Sequence, residues 1–261
     1  MRNLENLTLY IPINERNRIV DGIQLENDIL IHLLKLQRFI FYIWTNTNAT
    51  HTPLSNDDIQ RTFSNVKFGE VGCSINYIRE SDIRYHVFSL PFLFKSIGII
   101  GNSLTNTIFM NVTCLGIHDG IPFQHEFFLQ LSRCFPLLDS LIIINSKTQS
   151  RDSTKSDELF QIAEYLHLTS LVFGFVHIDY VEQMLNQSKT RLPCLTELGV
   201  DYNHMKIVTH NFTRDATRLN CINVEELSFH DFMNLDDDNN DHHWIHAQSN
   251  DFHVYFPKLK L

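Results

Sequence analysis

The stretch FPLLDSLIIIN, Phe135–Asn145, carries the pattern that decides the fold. Leu138, Leu141 and Ile143 stand in it at the spacing apolar-x-x-apolar-x-apolar. The same skeleton starts again at Leu4, Leu36, Val112, Leu168, Leu195 and Val224, with weaker copies at Phe68 and Phe94 and a truncated copy at Leu259. Recurrence at intervals of roughly 20 to 50 residues is typical of repeat proteins. The sequence therefore predicts one repeat-built domain over residues 1–261, with about nine strand–helix units and a truncated one.

The segments between the copies carry helix signals, namely apolar residues three and four positions apart and candidate caps. They predict helices in GIQLENDILIHLL, SNDDIQRTF, PFQHEFFLQLSRCF, SDELFQIAEYL and IDYVEQMLNQ. Ser55 and Ser156 are candidate N-caps, and Pro122 is a candidate first-turn residue. Short strands joined by helices should pair in parallel and in sequence order. Because helices are wider than strands, the sheet should curve into a horseshoe with strands on the concave face and helices on the convex face.

Alternating strands and helices also describe a doubly wound α/β enzyme of unknown reaction, and this alternative stays open. Strands buried on both faces read as solid apolar runs, as LIIIN and LVFGF do, whereas LTLYI, LGIHD, LGVDY and LSFHD alternate. Coverage of the sheet separates the two folds, because helices on both faces and a cleft at the strand carboxyl ends would favour the enzyme.

The skeleton resembles the strand segment of leucine-rich repeats, in which an Asn or Cys follows eight residues after the first apolar position; Asn76, Asn102 and Asn203 occupy that place here. The segments NLENLTLYI, VFSLPFLFKSIGIIGN and PFQHEFFLQLSRCFPLL resemble the repeat region of F-box proteins. In that family an F-box docks to the Skp1–cullin ubiquitin ligase and the repeats hold the substrate. The resemblance implies an irregular leucine-rich-repeat solenoid that recognises a protein substrate, with Skp1 bound only through an F-box upstream of Met1.

Composition and charge limit the partners. The formal net charge of -9 disfavours nucleic acid, whose recognition relies on Lys and Arg. No window approaches ~18 uninterrupted apolar residues, and no basic region precedes an apolar run at the N-terminus, so we expect neither a membrane span nor a signal peptide. Five scattered cysteines fit reduced thiols. We therefore expect a cytoplasmic or nuclear protein.

Motifs for catalysis or metal binding are incomplete. The acidic, His-rich segment 234–253 begins like a calcium loop but has Asp241 in place of the turning Gly and Ala247 in place of the bidentate acid. His242 and His246 would share a helix face, yet we interpret the segment as a solvated insertion between strands. The chain has no Gly-x-Ser-x-Gly and no phosphate-loop ending. The sequence predicts a non-enzymatic protein with no metal site and no cofactor.

Function on a repeat scaffold lies in its surface. The positions between the apolar residues of the skeleton should point away from the helices, and they form the candidate partner-binding set of Tyr10, Tyr42, His118, Ile142, Ile144, Val172, Asp201 and His230. An exposed apolar patch at Ile142, Ile144 and Val172 would mark a binding site unless a loop or second helix layer covers it.

The chain starts three residues before the first apolar position, Leu4, and stops inside the copy that begins at Leu259, and neither end has a polar cap. We therefore expect a fragment of a longer protein, or an incomplete gene model, with apolar edges exposed at both ends.

Overall fold

The computed structural model describes residues 3–14, 18–48, 54–63, 69–79, 82–104, 107–149, 161–229 and 250–260. The chain is an α/β protein that divides into two compact units, Met1–Thr105 and Asn106–Leu261. The described strands are β1 (Asn6–Ile13), β2 (Arg38–Asn48), β3 (Val71–Arg79), β4 (Asp82–Ser89), β5 (Ser96–Ile100), β6 (Cys114–His118), β7 (Ser140–Asn145), β8 (Ala163–Glu164), β9 (Ser170–Val176), β10 (Thr190–Arg191), β11 (Glu197–Val200) and β12 (Glu226–Phe229). The described α-helices are α1 (Gly22–Asp28), α2 (Asn56–Thr62), α3 (His125–Cys134), α4 (Ile178–Leu185), α5 (Tyr202–Val208), α6 (Asp215–Cys221) and α7 (Asn250–Tyr255), with a 3-10 turn at Leu30–His32.

In the second unit, the strands that begin at copies of the skeleton form a parallel sheet in sequence order, β6-β7-β9-β11-β12. Equivalent positions of the skeleton stand opposite one another, so that Leu115 pairs with Leu141 and Leu141 pairs with Leu171. Leu198 continues the row between Leu171 and Leu227. The prediction of parallel strands in sequence order is confirmed for this part of the chain.

A repeated backbone contact, which we name the carbonyl ladder, sets this register. The residue after the first apolar position offers its carbonyl to two successive amides of the next copy: Thr113 accepts from Asp139 and Ser140, Asp139 from Thr169 and Ser170, Thr169 from Thr196 and Glu197, and Thr196 from Glu225 and Glu226, all at 2.8 to 3.0 Å. Glu225 accepts from Lys260 at 2.9 Å, so the truncated copy at Leu259 occupies the next place in the row. Backbone amides therefore align each strand of the row β6-β7-β9-β11-β12 with the next, and the hydroxyls of Thr169 and Thr196 add side-chain donors at the carbonyls of Asp139 and Thr169.

The structure also extends the skeleton by one position that the sequence pattern did not predict. Three residues before each first apolar position lies another buried residue, whose carbonyl accepts a hydrogen bond from the amide of that first position at 3.1 to 3.5 Å. These residues are Phe109, Phe135, Tyr165, Leu192, Cys221 and Phe256. Two of them, Phe109 and Phe135, stack with their ring centroids 4.8 Å apart. The full repeat is therefore a turn followed by a strand, with four buried positions.

Only one face of this sheet is fully covered. Leu141, Ile143 and Phe173 are wholly buried on that face, and α4 packs against β9 there with Val181, Met184 and Leu185 buried as predicted. On the opposite face, the side chains that alternate with them are exposed or half-buried, as the burial patterns of β6 and β7 show. Alternating burial of this kind is typical of a sheet that faces solvent on one side.

The first unit departs from the predicted topology. Its sheet has the order β1-β2-β4-β3, with β1 parallel to β2 but β4 antiparallel to both β2 and β3. The prediction of a single parallel sheet is therefore wrong for residues 71–89. Only two residues separate β3 from β4, and a connection that short allows a hairpin but not a helical crossover. The sequence did carry a signal for the strand β4. Apolar residues alternate at Ile83, Tyr85 and Val87, and all three enter the apolar core of this unit.

Helix boundaries follow the capping signals in part. Ser55 caps α2 as predicted, since its hydroxyl accepts from the amide of Asp58 at 3.1 Å and the Asp58 carboxylate accepts from the Ser55 amide. Pro122 lies outside α3, which begins at His125 after the N-cap Gln124. The prediction of a helix in SDELFQIAEYL is wrong at its C-terminal end, because Ala163–Glu164 forms β8 and pairs with β10; Ser156 lies outside the described residues.

Two neighbouring isoleucines of β7 test the assignment of one buried face and one partly open face to the second-unit sheet. Ile143 is 0% exposed and Ile142 is 38% exposed. We expect Ile143→Ala to lower the free energy of unfolding by about 2 to 5 kcal/mol, because it leaves a cavity in the core, and Ile142→Ala to lower it by less than about 1 kcal/mol. Urea unfolding followed by circular dichroism measures both. Equal losses in the two variants would contradict the assignment of faces.

Candidate functional site

The partly open face of the second-unit sheet carries three rows of side chains across its strands. Strand pairing aligns the first row as Cys114, Ser140, Ser170, Glu197 and Glu226, and the second row as Gly116, Ile142, Val172, Gly199 and Ser228. In the third row His118 pairs with Ile144. Within these three rows the described residues include no Lys and no Arg. The face is thus apolar near its centre and acidic toward β11 and β12.

Four of the predicted partner-binding residues come together on this face. His118, Ile142, Ile144 and Val172 lie on the adjacent strands β6, β7 and β9, and Ile142 stands directly opposite Val172. Ile142 is exposed and the other three are half-buried. A contiguous apolar patch that remains open to solvent is a common mark of a binding surface.

Two further members of the predicted set have different outcomes. Asp201 is half-buried and caps α5, because its carboxylate accepts from the amide of His204 at 2.9 Å. Its role in the structure is therefore at least partly that of a helix cap. His230 lies outside the described residues.

A groove beside the apolar patch was not predicted from the sequence. It has a volume of about 380 Å³ and runs over β9, β11 and β12, lined by Ser170, Val172, Glu197, Leu198, Gly199, Glu226, Leu227, Ser228 and Lys260. Gly199 lies between Val172 and Ser228 in the second row. Because Gly199 has no side chain, the backbone itself forms the floor of the groove. The sequence signal was a glycine at a position where the neighbouring copies carry Ile142 and Val172.

The charges around this groove do not cancel. Lys260 forms an ion pair with Glu225, and hydrogen bonding to Lys260 holds the pKa of Glu225 below its usual range. The same contact raises the pKa of Lys260. Lys258 donates to the side chain of Asn223 at 2.7 Å. Glu197 and Glu226 add two further carboxylates to the lining, so negative charge predominates at this end of the face.

In the first unit, Tyr10 and Tyr42 differ in their exposure to solvent. Tyr10 is 44% exposed, whereas Tyr42 is 0% exposed, and the prediction that Tyr42 lines an open surface is wrong. The segment after β4 folds over Tyr42, bringing Phe92 to a ring-centroid distance of 5.3 Å. Gly98 approaches so closely that a Cβ there would lie 3.1 Å from the Tyr42 hydroxyl oxygen. The absence of a side chain at Gly98 permits this cover.

Tyr42 belongs to a buried polar cluster. Its hydroxyl oxygen accepts from the amide of Gly98 at 2.7 Å and lies 2.8 Å from Nδ1 of His86. The Tyr42 hydroxyl donates in this contact when the proton of neutral His86 is on Nε2, and it accepts when that proton is on Nδ1. Burial, aided by the positive charge of Arg84, lowers the pKa of His86 to about 3, and the Ile99 carbonyl opposes this only in part. This cluster stabilises an interior and does not face solvent.

The asparagines at the eighth place after the first apolar position form no continuous ladder in the described residues. Asn76 is buried in β3 with no hydrogen-bond partner for its side chain among the described residues, and Asn203 is exposed in α5. Asp119 and Asn145, one position earlier in their copies, do hold backbone: Asp119 accepts from the amide of Ile121, and Asn145 donates to the carbonyl of Ile121. In these two copies polar side chains therefore bind backbone at the strand ends, but not at the positions that the leucine-rich-repeat pattern indicates.

The described part of the chain shows neither a metal centre nor a membrane-spanning helix. No group of three or more His, Cys, Asp or Glu side chains there is arranged to hold a metal ion. The core of the acidic segment, including Asp241, His242 and His246, lies outside the described residues, while Asn250 begins α7. Among the described helices, none combines the length and apolar character that crossing a membrane requires.

Comparison of the chain with protein-family models, with curated proteins and with solved structures gave no significant match.

The His86 cluster predicts a pH dependence of stability. A buried histidine with a lowered pKa contributes its full stability above the unfolded pKa of about 6.5 and loses it as the pH falls toward 3, because the unfolded chain binds the extra proton. We expect a loss of about 2 kcal/mol in the free energy of unfolding between pH 7 and pH 5 from this residue.

Urea melts across this pH range measure that loss. The slope of stability against pH should flatten in His86→Gln and stay unchanged in His32→Gln, which alters an exposed histidine of the same unit. The same slope in both variants would show that His86 is not the group responsible.

Proposed function

We propose that this chain is a non-catalytic protein-binding scaffold, an irregular leucine-rich-repeat solenoid over residues 1–261 whose binding surface is the partly open face of β6, β7, β9, β11 and β12. The observation that carries the proposal is the apolar centre of that face, where Ile142 is exposed and Val172 is half-buried, while the core face of the same strands is buried. A contiguous apolar patch that is open to solvent is a common mark of a protein-binding surface.

One-sided coverage of the sheet favours this scaffold over a doubly wound α/β enzyme. In the enzyme, helices on both faces would bury both sets of alternating side chains. In the second unit Leu141, Ile143 and Phe173 are buried, whereas Ile142 is 38% exposed on the other side. The repeat architecture is supported by the parallel strand found at each of the five copies from Val112 to Val224, aligned by the carbonyl ladder.

The proposed place of this scaffold is the substrate-recognition part of a ubiquitin ligase adaptor of the F-box type. This step is supported by the resemblance of NLENLTLYI, VFSLPFLFKSIGIIGN and PFQHEFFLQLSRCFPLL to the repeats of that family. The protein substrate would occupy the open face, and Skp1 would bind an F-box that lies outside residues 1–261. No nucleic acid and no membrane is needed for either contact.

A pair of matched substitutions tests the binding surface. Ile142→Asp places a charge at the centre of the apolar patch and should reduce capture of partner protein from an extract of the source cells by about tenfold or more. Ile207→Asp makes the same change at an exposed isoleucine of α5 and should leave capture intact. Quantitative mass spectrometry of the captured proteins measures the difference. Equal capture by both variants, or measurable hydrolytic turnover without any partner, would refute the proposal.

The link to the ligase has a separate test. The protein carrying this chain, tagged at its native locus and precipitated from its own cells, should bring down Skp1. The chain of residues 1–261 expressed alone should not, because we place the Skp1 contact outside it. Recovery of the full protein without Skp1 would remove the ligase from the proposal and leave the scaffold.

A further inference from the structure

We infer that the groove over Gly199 receives a basic side chain, Arg in preference to Lys, of an extended peptide segment of the partner, with an aliphatic side chain of the same segment on the neighbouring Ile142–Val172 patch. This inference rests on the proposed function of the face as a protein-binding surface and adds the chemistry of what it binds. Three observations carry it: the shape of the groove, the sign of its charge and its distance from the patch.

The groove has the shape for a long, narrow side chain. Its floor is the backbone at Gly199, and Val172 forms an apolar wall on one side, with Ser228 opposite. Aliphatic stems of Arg and Lys commonly lie along apolar surface while their charged ends reach polar groups. A stem passing over Gly199 would therefore contact Val172.

The charge at the end of the groove is complementary to such a residue. Glu197 and Glu226 stand opposite each other on β11 and β12, at the spacing of neighbouring strands, which is about 4.8 Å. A guanidinium carries five N–H donors in a planar fork and can therefore bond to both carboxylates, whereas an ammonium acts as a compact point charge. Lys260, the cation in the lining, forms an ion pair with Glu225 and is also attracted by Glu226, so a single positive charge of the lining stands against the three carboxylates of Glu197, Glu225 and Glu226.

The distance to the apolar patch fixes the spacing in the peptide. Val172 is the direct neighbour of Gly199, and Ile142 is one strand further, so the patch centre lies roughly 5 to 10 Å from the groove floor. In an extended peptide, residues i and i+2 point the same way and lie about 6.7 Å apart. We therefore expect the motif aliphatic-x-Arg or its reverse.

Selection from a phage-displayed library of random dodecapeptides tests the inference, with the Ile142→Asp chain as the counter-selection. Enriched peptides should share a basic residue two positions from an aliphatic one. In the best of them, replacing Arg by citrulline, which keeps its shape and removes its charge, should weaken binding by about three- to tenfold in fluorescence anisotropy. Higher salt should weaken the Arg peptide more than the citrulline peptide.

Matched variants of the chain complete the test. Glu197→Lys combined with Glu226→Lys should weaken the Arg peptide by about tenfold or more, because like charges then face each other. Glu164→Lys combined with Asp215→Lys makes the same change in net charge at exposed positions outside the three rows and should leave binding unchanged. Gly199→Thr should block the groove, and urea melts confirm that each variant is folded.

The outcomes separate this inference from the proposed function. Peptides that require Ile142 but bind equally with Arg, citrulline or Glu would overturn the inference and leave the binding scaffold standing. Failure to enrich any peptide over the Ile142→Asp chain would overturn the inference, whereas the proposed function falls if the Ile142→Asp and Ile207→Asp chains capture partner protein equally. Equal weakening by the two pairs of charge reversals would show a general effect of net charge, and the groove would lose its assigned role.

Discussion

The carbonyl ladder is the contact on which the rest of the second unit depends. A single backbone oxygen in each copy, from Thr113 to Glu225, fixes where the next strand begins. Because side chains of a strand alternate between faces, a shift of one residue would move every buried apolar group to the open face and every open-face group into the core. The ladder opposes that shift at the point where each strand starts, because its backbone hydrogen bonds form in one register only.

Because backbone atoms set the register of the strands, the position of the open face is fixed while the amino acids on it can differ from copy to copy. Buried positions such as Leu141 and Phe173 must remain apolar, since they fill the core between sheet and helices. Positions on the open face contribute little to that core. Ile142, Gly199 and Ser228 differ in size and polarity although they hold equivalent places in their copies. Differences of this kind create the groove and the apolar patch.

Much of the second unit could be predicted because the apolar positions of its skeleton are the positions that are buried. The strands at Val112, Leu138, Leu168, Leu195 and Val224, and the helix over Ile178–Leu185, follow from the spacing of apolar residues. The first unit was harder to predict. The antiparallel β4 breaks the repeat, and Tyr42 is buried by a later segment that local periodicity does not reveal.

The candidate site divides in the same way. His118, Ile142, Ile144 and Val172 share a face because alternation along a strand is a local property. The groove depends on a side chain that is missing at Gly199 and on carboxylates contributed by two different strands, Glu197 and Glu226. Such a feature becomes visible only when the register between strands is known. A sequence pattern identifies which residues point outward, and the pairing of strands determines which of them become neighbours.

The carbonyl ladder also has a consequence for how such a chain can change over time. The residues whose carbonyls form it are separated by 26 to 30 positions, so the length of the intervening chain is not held constant. A backbone carbonyl is present whichever amino acid occupies the position. Insertions between copies, and substitutions other than proline at the ladder residues themselves, therefore remove no donor or acceptor of the ladder. A gene encoding this scaffold can gain or lose residues between copies and exchange its outward side chains, acquiring new partners while the framework that presents them is inherited unchanged.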